Sequence, residues 1–235
     1  DQVEVDMKKM TAGEMSSLNA KRTSFSPDVP WANPWDRDRN CLHVTKGLGS
    51  WSIVSLSNWL DEHAIVSLPM HAAMPPKHIV PNDLHLGYHV FSFWSAKYAW
   101  VSAEQSVKNI SKKLGPHESE IFHVKPVSLN KGQYIGSELH FTCGYEVVEF
   151  NSTSTTIDLQ LRYDSKRSGF IYLYIPCYTN AMTVTTSGMA ARGEVVFRTP
   201  KIGHNNTFYG GQVVRVWVVI NGNGTEDDGR VTFCI

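Results

Sequence analysis

The chain has 235 residues, and 42% of them are aliphatic, aromatic or cysteine, enough for a sizeable core. Its 22 Lys and Arg balance 22 Asp and Glu, which excludes a global field drawing it to nucleic acid or an anionic membrane. No apolar run approaches the roughly 20 residues that span a bilayer, and the length fits one large all-β domain or two small ones.

Residues 1–50 read as an extended N-terminal arm, and 51–235 as the folded domain. Six basic and seven acidic side chains between Asp1 and Asn40 leave the arm nearly neutral. Its tryptophans, Trp31 and Trp35, follow prolines and show no periodicity. Such a composition cannot bury enough apolar surface to order itself, so the arm is expected to be held by a neighbouring subunit. The competing reading lays it across its own domain. A start at Asp1 rather than Met is read as the product of precursor processing, with trimming as the alternative.

Trp51 to His63 fits either a short helix or the start of a strand. Ala64 to His71 reads as a strand, and Met74 to Asp83 as turn-rich. Tyr88 to Val101 reads as one aromatic strand. Ser102 to Leu114 carries the one clear helix. Ser102 and Gln105 make a capping box, Ala103, Val107, Ile110 and Leu114 a stripe, and Gly115-Pro116 a stop. Ile121 to Leu129 returns to extended structure.

Tyr134 to Val148 reads as one long strand. Leu139, Phe141, Cys143, Tyr145 and Val147 share one face, and Glu138, His140, Thr142 and Glu146 the other. Ile157 to Tyr163 alternates in the same way. Phe170 to Ile175 is apolar on both parities, which requires cover on both faces. Thr179 to Ala191, Gly193 to Thr199, Val213 to Ile220 and Val231 to Ile235 add more strands, about nine in all. Many strands around a single helix predict an all-β antiparallel sandwich.

Chemistry-bearing residues are scattered. His63, His71, His78, His85 and His89 cluster in sequence, and His85 and His89 have a zinc-like spacing. The segment is extended and Gly87 opposes a helix, so these read as solvated or edge histidines. Their charge changes near pH 6.5, which would suit an acid-triggered switch. Cys41, Cys143, Cys177 and Cys234 lack metal-binding spacing, and Cys143 reads as a buried thiol. Sequons at Asn109, Asn151, Asn205 and Asn223 matter only in a secretory pathway. Glu226-Asp227-Asp228-Gly229 reads as a solvated turn rather than a calcium loop. Lys108, Lys112, Lys113, Lys125 and Lys131 could meet phosphate, but no interleaved aromatic motif supports specific readout. There is no nucleophile elbow, phosphate loop or dinucleotide fingerprint. No catalytic, cofactor-binding or metal-ligating set is expected, and the chain does not read as an enzyme.

The order of elements resembles that of picornavirus-like capsid proteins. The features are a helix at Ser102 to Leu114, then Tyr134-Ile135-Gly136-Ser137-Glu138-Leu139, then Ile157 to Tyr163. An apolar strand follows, closing on Ile175-Pro176-Cys177-Tyr178. The resemblance covers about 64–235 and implies an eight-stranded antiparallel jelly-roll β-sandwich with one or two short helices. It implies a structural capsid subunit of a small icosahedral positive-strand RNA virus, cut from a polyprotein and located in the virion after assembly in the host cytoplasm. Implied partners are two similar jelly-roll subunits met through the arm and sandwich edges, genomic RNA in non-specific contact, and a host receptor. The short Asp164 to Gly169 connection departs from mammalian relatives, which suggests an invertebrate or plant virus and transfers no receptor site. Two other readings compete. One is a secreted carbohydrate- or receptor-binding sandwich using Trp31, Trp35, Trp100 and the sequons. The other is a cupin-like metal enzyme using His85 and His89.

Overall fold

The computed structural model describes residues 39–46, 48–73, 87–101, 109–128, 131–142, 144–153, 156–162, 165–177, 183–187, 190–198, 202–204, 207–221 and 230–234. Its first half contains β1 (Arg39–Lys46), β2 (Gly49–Ser57), β3 (Ala64–Pro69) and the single turn of helix α1 (Met70–Ala73). β4 (Tyr88–Ser92), β5 (Lys97–Val101), β6 (Asn109–Leu114) and β7 (Ser119–Pro126) follow. β1 and β2 form a hairpin whose turn places Gly49 at φ 102°, a region that favours glycine. They extend to a five-stranded sheet in the order β1-β2-β7-β4-β5. β3 pairs with β6. Val54, Leu56, Val90, Phe122 and Val124 pack from the five-stranded sheet onto Leu68, Met70, Ile110 and Leu114.

The second half supplies β8 (Gln133–Ser137), β9 (Val147–Ser152), β10 (Thr156–Leu161), β11 (Arg167–Ile175) and β12 (Thr183–Ser187). It continues with β13 (Ala190–Arg198), β14 (Ile202–His204), β15 (Thr207–Tyr209), β16 (Gln212–Ile220) and β17 (Arg230–Cys234). Two four-stranded sheets result, in the orders β12-β17-β10-β9 and β13-β16-β11-β8, and β14 pairs with β15. Every pairing among the described residues is antiparallel. Ile157, Leu159 and Leu161 of β10 share one core with Ile171, Leu173 and Ile175 of β11 and Val214, Val216 and Val218 of β16. The protein is therefore all-β with antiparallel sheets, consistent with a β-sandwich.

The reverse face of β11 and β16 is also covered. Tyr172, Tyr174 and Val213 pack against Phe91 of β4, with Tyr98 and Trp100 of β5 alongside. Cover on both sides is what the doubly apolar run from Phe170 to Ile175 requires. Gly136 of β8 marks a close approach of the two halves, because a Cβ there would lie 2.5 Å from Phe91 Cδ1. Phe91 is fully buried and packed against the Tyr172 ring, so it cannot yield. Gly136→Ala is expected to cost about 2 kcal/mol through overpacking, measurable as a lower urea midpoint at unchanged slope.

Several sequence expectations are corrected. Asn109–Leu114, the end of the expected helix, is strand β6, while 102–108 lies outside the described residues. Ile110 and Leu114 satisfy a helical stripe and a two-residue alternation equally, and pairing with β3 selects the strand. Tyr134 to Val148 is not one strand but β8 and β9 joined by a turn. Tyr88 to Val101 is a hairpin whose turn lacks Gly and Pro and uses Ala96 at φ 49° instead. Such breaks raise the strands among the described residues to seventeen, against about nine expected. Within the segment read as an arm, 39–46 and Gly49 onward are paired strands; residues 1–38 lie outside the described residues.

Candidate functional site

Side chains along a strand alternate between faces. With Val90, Phe122 and Val124 facing β3 and β6, the intervening His89, Phe91, His123 and Lys125 must face β8 and β11. This buries a polar seam between the two halves, with His89, His123, Lys125 and Gln133 all essentially enclosed. His89 Nε2 donates to Gln133 Oε1 at 3.2 Å, and Nδ1 accepts from the Tyr98 hydroxyl at 2.9 Å. Gln133 also accepts from Ser128 N and donates to Pro126 O, which locks its amide in place. Burial, opposed by the Gln133 bond and assisted by the Lys125 charge, lowers the His89 pKa to about 3.

His123 Nε2 donates to the Phe141 carbonyl at 2.5 Å, while its buried Nδ1 has no hydrogen-bond partner. Its pKa falls to about 4, chiefly through burial, with the Phe141 bond opposing and the Lys125 charge assisting. Lys125 Nζ donates to Leu48 O at 2.6 Å and Tyr134 O at 2.9 Å, and lies 5.3 Å from the Trp51 ring centroid. The seam thus ties β4 and β7 to the β1–β2 turn, to β8 and to the turn after it. Its side chains are enclosed and bonded to the protein itself, so its accessible chemistry is proton uptake by the two imidazoles.

A buried acid organises the β8–β9 connection. Glu146 accepts from the Tyr134 hydroxyl at 2.5 Å, from Gly144 N at 3.1 Å and from the Ser137 hydroxyl. The chain turns around this carboxylate, leaving Phe141 and Tyr145 half-exposed on either side of the His140 ring. Alternation predicted the reverse, with Phe141 and Tyr145 inside and Glu146 outside. A second carboxylate, Glu120, is buried beneath the β4–β5 turn, where it accepts from Trp94 N and Lys112 Nζ. Burial raises its pKa, but the bonds from Lys112, Ser95 and Trp94 outweigh that and hold it below the usual carboxylate range.

Other residues singled out in the sequence are dispersed. His63 is exposed, and His78 and His85 lie outside the described residues. Both ring nitrogens of His89 are engaged, so the His85–His89 metal pair finds no free imidazole there. Lys112 and Lys113 are neighbours on a strand and point to opposite faces, Lys125 is interior, and Lys108 lies outside the described residues. Trp100 is half-buried, with its buried Nε1 unpartnered. Asn109 and Asn151 are exposed, while Asn205, Asn223, Cys143, Trp31, Trp35 and Glu226-Asp227-Asp228 lie outside the described residues. Cys177 is half-buried, and burial raises its thiol pKa. Arg215, the charge inside the most apolar run, lies over the Phe170 ring and bonds Glu194. Among the described residues no helix is long and apolar enough to cross a membrane.

The buried histidine–lysine seam had one missed signal in the sequence. His89, His123 and Lys125 stand at polar parities of strands whose apolar parity is already committed, which normally reads as solvent-facing. Only the cover supplied by β8 and β11 makes them interior. No protein-family model matches the chain, and no curated protein matches it either.

Proposed function

We propose that the chain is a jelly-roll subunit of an icosahedral capsid, a shell protein that encloses an RNA genome with two similar chains. The strand order of the second half carries this reading. Its eight long strands pass repeatedly between two four-stranded sheets. β8, β11, β13 and β16 lie in one sheet, and β9, β10, β12 and β17 in the other. The chain's last strand, β17, inserts between β10 and β12. A double Greek key closes in this way. On this reading the jelly-roll domain is 51–235, with Gln133 to Cys234 supplying its two four-stranded sheets. Several large apolar side chains stand exposed, Trp59, Ile65 and Trp94 among them, as suits a chain that buries further surface on assembly.

The test is hydrodynamic. Native material should sediment as megadalton particles that contain two partner chains of similar size; a stable monomer under mild conditions would sink the reading. Deleting residues 1–38, short of β1, should leave the urea midpoint unchanged and reduce particle yield. Undiminished yield would remove the arm from assembly.

A further inference from the structure

Trp94, at the tip of the β4–β5 turn, is 62% exposed. Hairpin tips are ordinarily polar and mobile, but this one is braced from beneath. The Trp94 amide and the Ser95 hydroxyl both donate to the buried Glu120 carboxylate, and Lys112 bonds both Ser95 and Glu120. Ala96 holds a left-handed φ of 49°, and its carbonyl accepts from the Tyr172 hydroxyl at 3.3 Å. The Phe93 ring meets the indole edge-on at 4.7 Å. A half-buried ion pair and a strained alanine thus hold a bare tryptophan in one place.

A groove of about 610 Å³ lies on another part of the same chain. Trp59, Leu60 and Ile65 rim it with exposures of 56%, 54% and 73%, and Ser57 and Ser67 stand on its walls. Asn58 shapes it by donating to Glu62 O at 2.7 Å and Gly115 O at 2.8 Å and accepting from Leu60 N. Exposed Asp61, whose carboxylate already meets His117 Nε2 at 2.9 Å, and exposed Glu62 follow the groove residue Leu60 in the chain, and exposed Lys97 follows the Trp94 turn.

We propose that Trp94 of one copy of this chain seats in the Trp59–Leu60–Ile65 groove of a second copy. The inference deepens the assembly reading above and rests on it. A rigid aromatic entering an apolar-rimmed cleft is the kind of contact that dominates interface energy. The indole N–H needs an acceptor once buried, and the Ser57 and Ser67 hydroxyls offer one. Lys97 arriving beside Asp61 and Glu62 supplies charge complementarity and orientation. Knob and groove are different patches, so each copy engages two neighbours, and such head-to-tail contacts propagate into a ring where the rotation closes and an open filament where it does not. A lipid surface fits less well, because the turn presents one indole and the chain carries no net charge.

Sedimentation velocity on the purified full chain tests this with W94A, I65E and their equimolar mixture, each first checked for wild-type near-UV circular dichroism. Wild type should self-associate, and each variant should weaken association by about tenfold or more. The mixture should recover dimers through its one intact knob and groove, and nothing larger. A wild-type chain monomeric at every concentration, or a W94A chain associating normally, overturns the proposal. A mixture without dimers also overturns it. Flotation with neutral phosphatidylcholine vesicles that depends on Trp94 would assign the tryptophan to lipid instead. Native particles lacking any such copy-to-copy contact would defeat this inference and leave the capsid reading intact. Trp94-dependent oligomers that never reach megadalton mass would do the opposite.

Discussion

Acidification from pH 7 to pH 4 is expected to remove about 3 kcal/mol of stability through His123 alone, at roughly 1.4 kcal/mol per pKa unit. In the folded chain His123 stays neutral down to about pH 4, against 6.5 for a free imidazole. The unfolded chain therefore takes up the proton first. The contribution is fully present above pH 6.5, declines as pH falls toward 4, and levels off below that. His89, with a folded value of about 3, acts in the same direction over a wider window. The cause is geometric. A protonated His123 would need an acceptor for Nδ1, which has none, and would stand near the Lys125 charge. Urea unfolding at half-unit pH steps measures the slope. His123→Gln can still donate to the Phe141 carbonyl but does not titrate, so its slope should be shallower by His123's share. Flat wild-type stability between pH 7 and 4 would mean that these imidazoles are already charged or solvated in the folded protein.

Lys125→Met should destabilise the protein by about 3 kcal/mol, since hydrogen bonds from charged donors are each worth roughly 1.5–3 kcal/mol. Methionine keeps the unbranched stem against Trp51 but withdraws the donor from the Leu48 and Tyr134 carbonyls. Relief of the ammonium's own desolvation offsets part of the loss, and the two lost charge-assisted bonds decide the sign. The same substitution removes the charge that lowers both buried histidines, so the acid-dependent loss should shrink. A combined cycle with His123→Gln would report this coupling directly. A Lys125→Met chain as stable as wild type, with an unchanged pH slope, would show that Lys125 is not the joint between the halves.

These two substitutions probe the part of the molecule that sequence reading misplaced. Strands β10, β11 and β16 were legible because their alternation, or its absence, reports burial directly: Ile157, Leu159 and Leu161 inward, and Phe170 to Ile175 covered twice. The breaks at 93–96 and 138–146 were not: the first has neither Gly nor Pro, and in the second Gly144 sits inside an alternation that runs unbroken from Leu139 to Val147. One depends on Glu120 catching the amide of Trp94, and the other on Glu146 gathering Tyr134, Ser137 and Gly144. Glu120 comes from a separate strand, and Glu146, though it lies beside Gly144, stands at a polar parity that reads as solvent-facing.

The sequence by itself therefore determined the class, an antiparallel all-β chain with a large core, because side-chain period is a local property. The tertiary structure alone decided that Asn109–Leu114 is strand, that Phe141, Tyr145 and Trp94 face solvent, and that His89, His123 and Lys125 lie inside. Each of those outcomes depends on which surface covers a strand's second face, and that cover comes from residues distant in the chain.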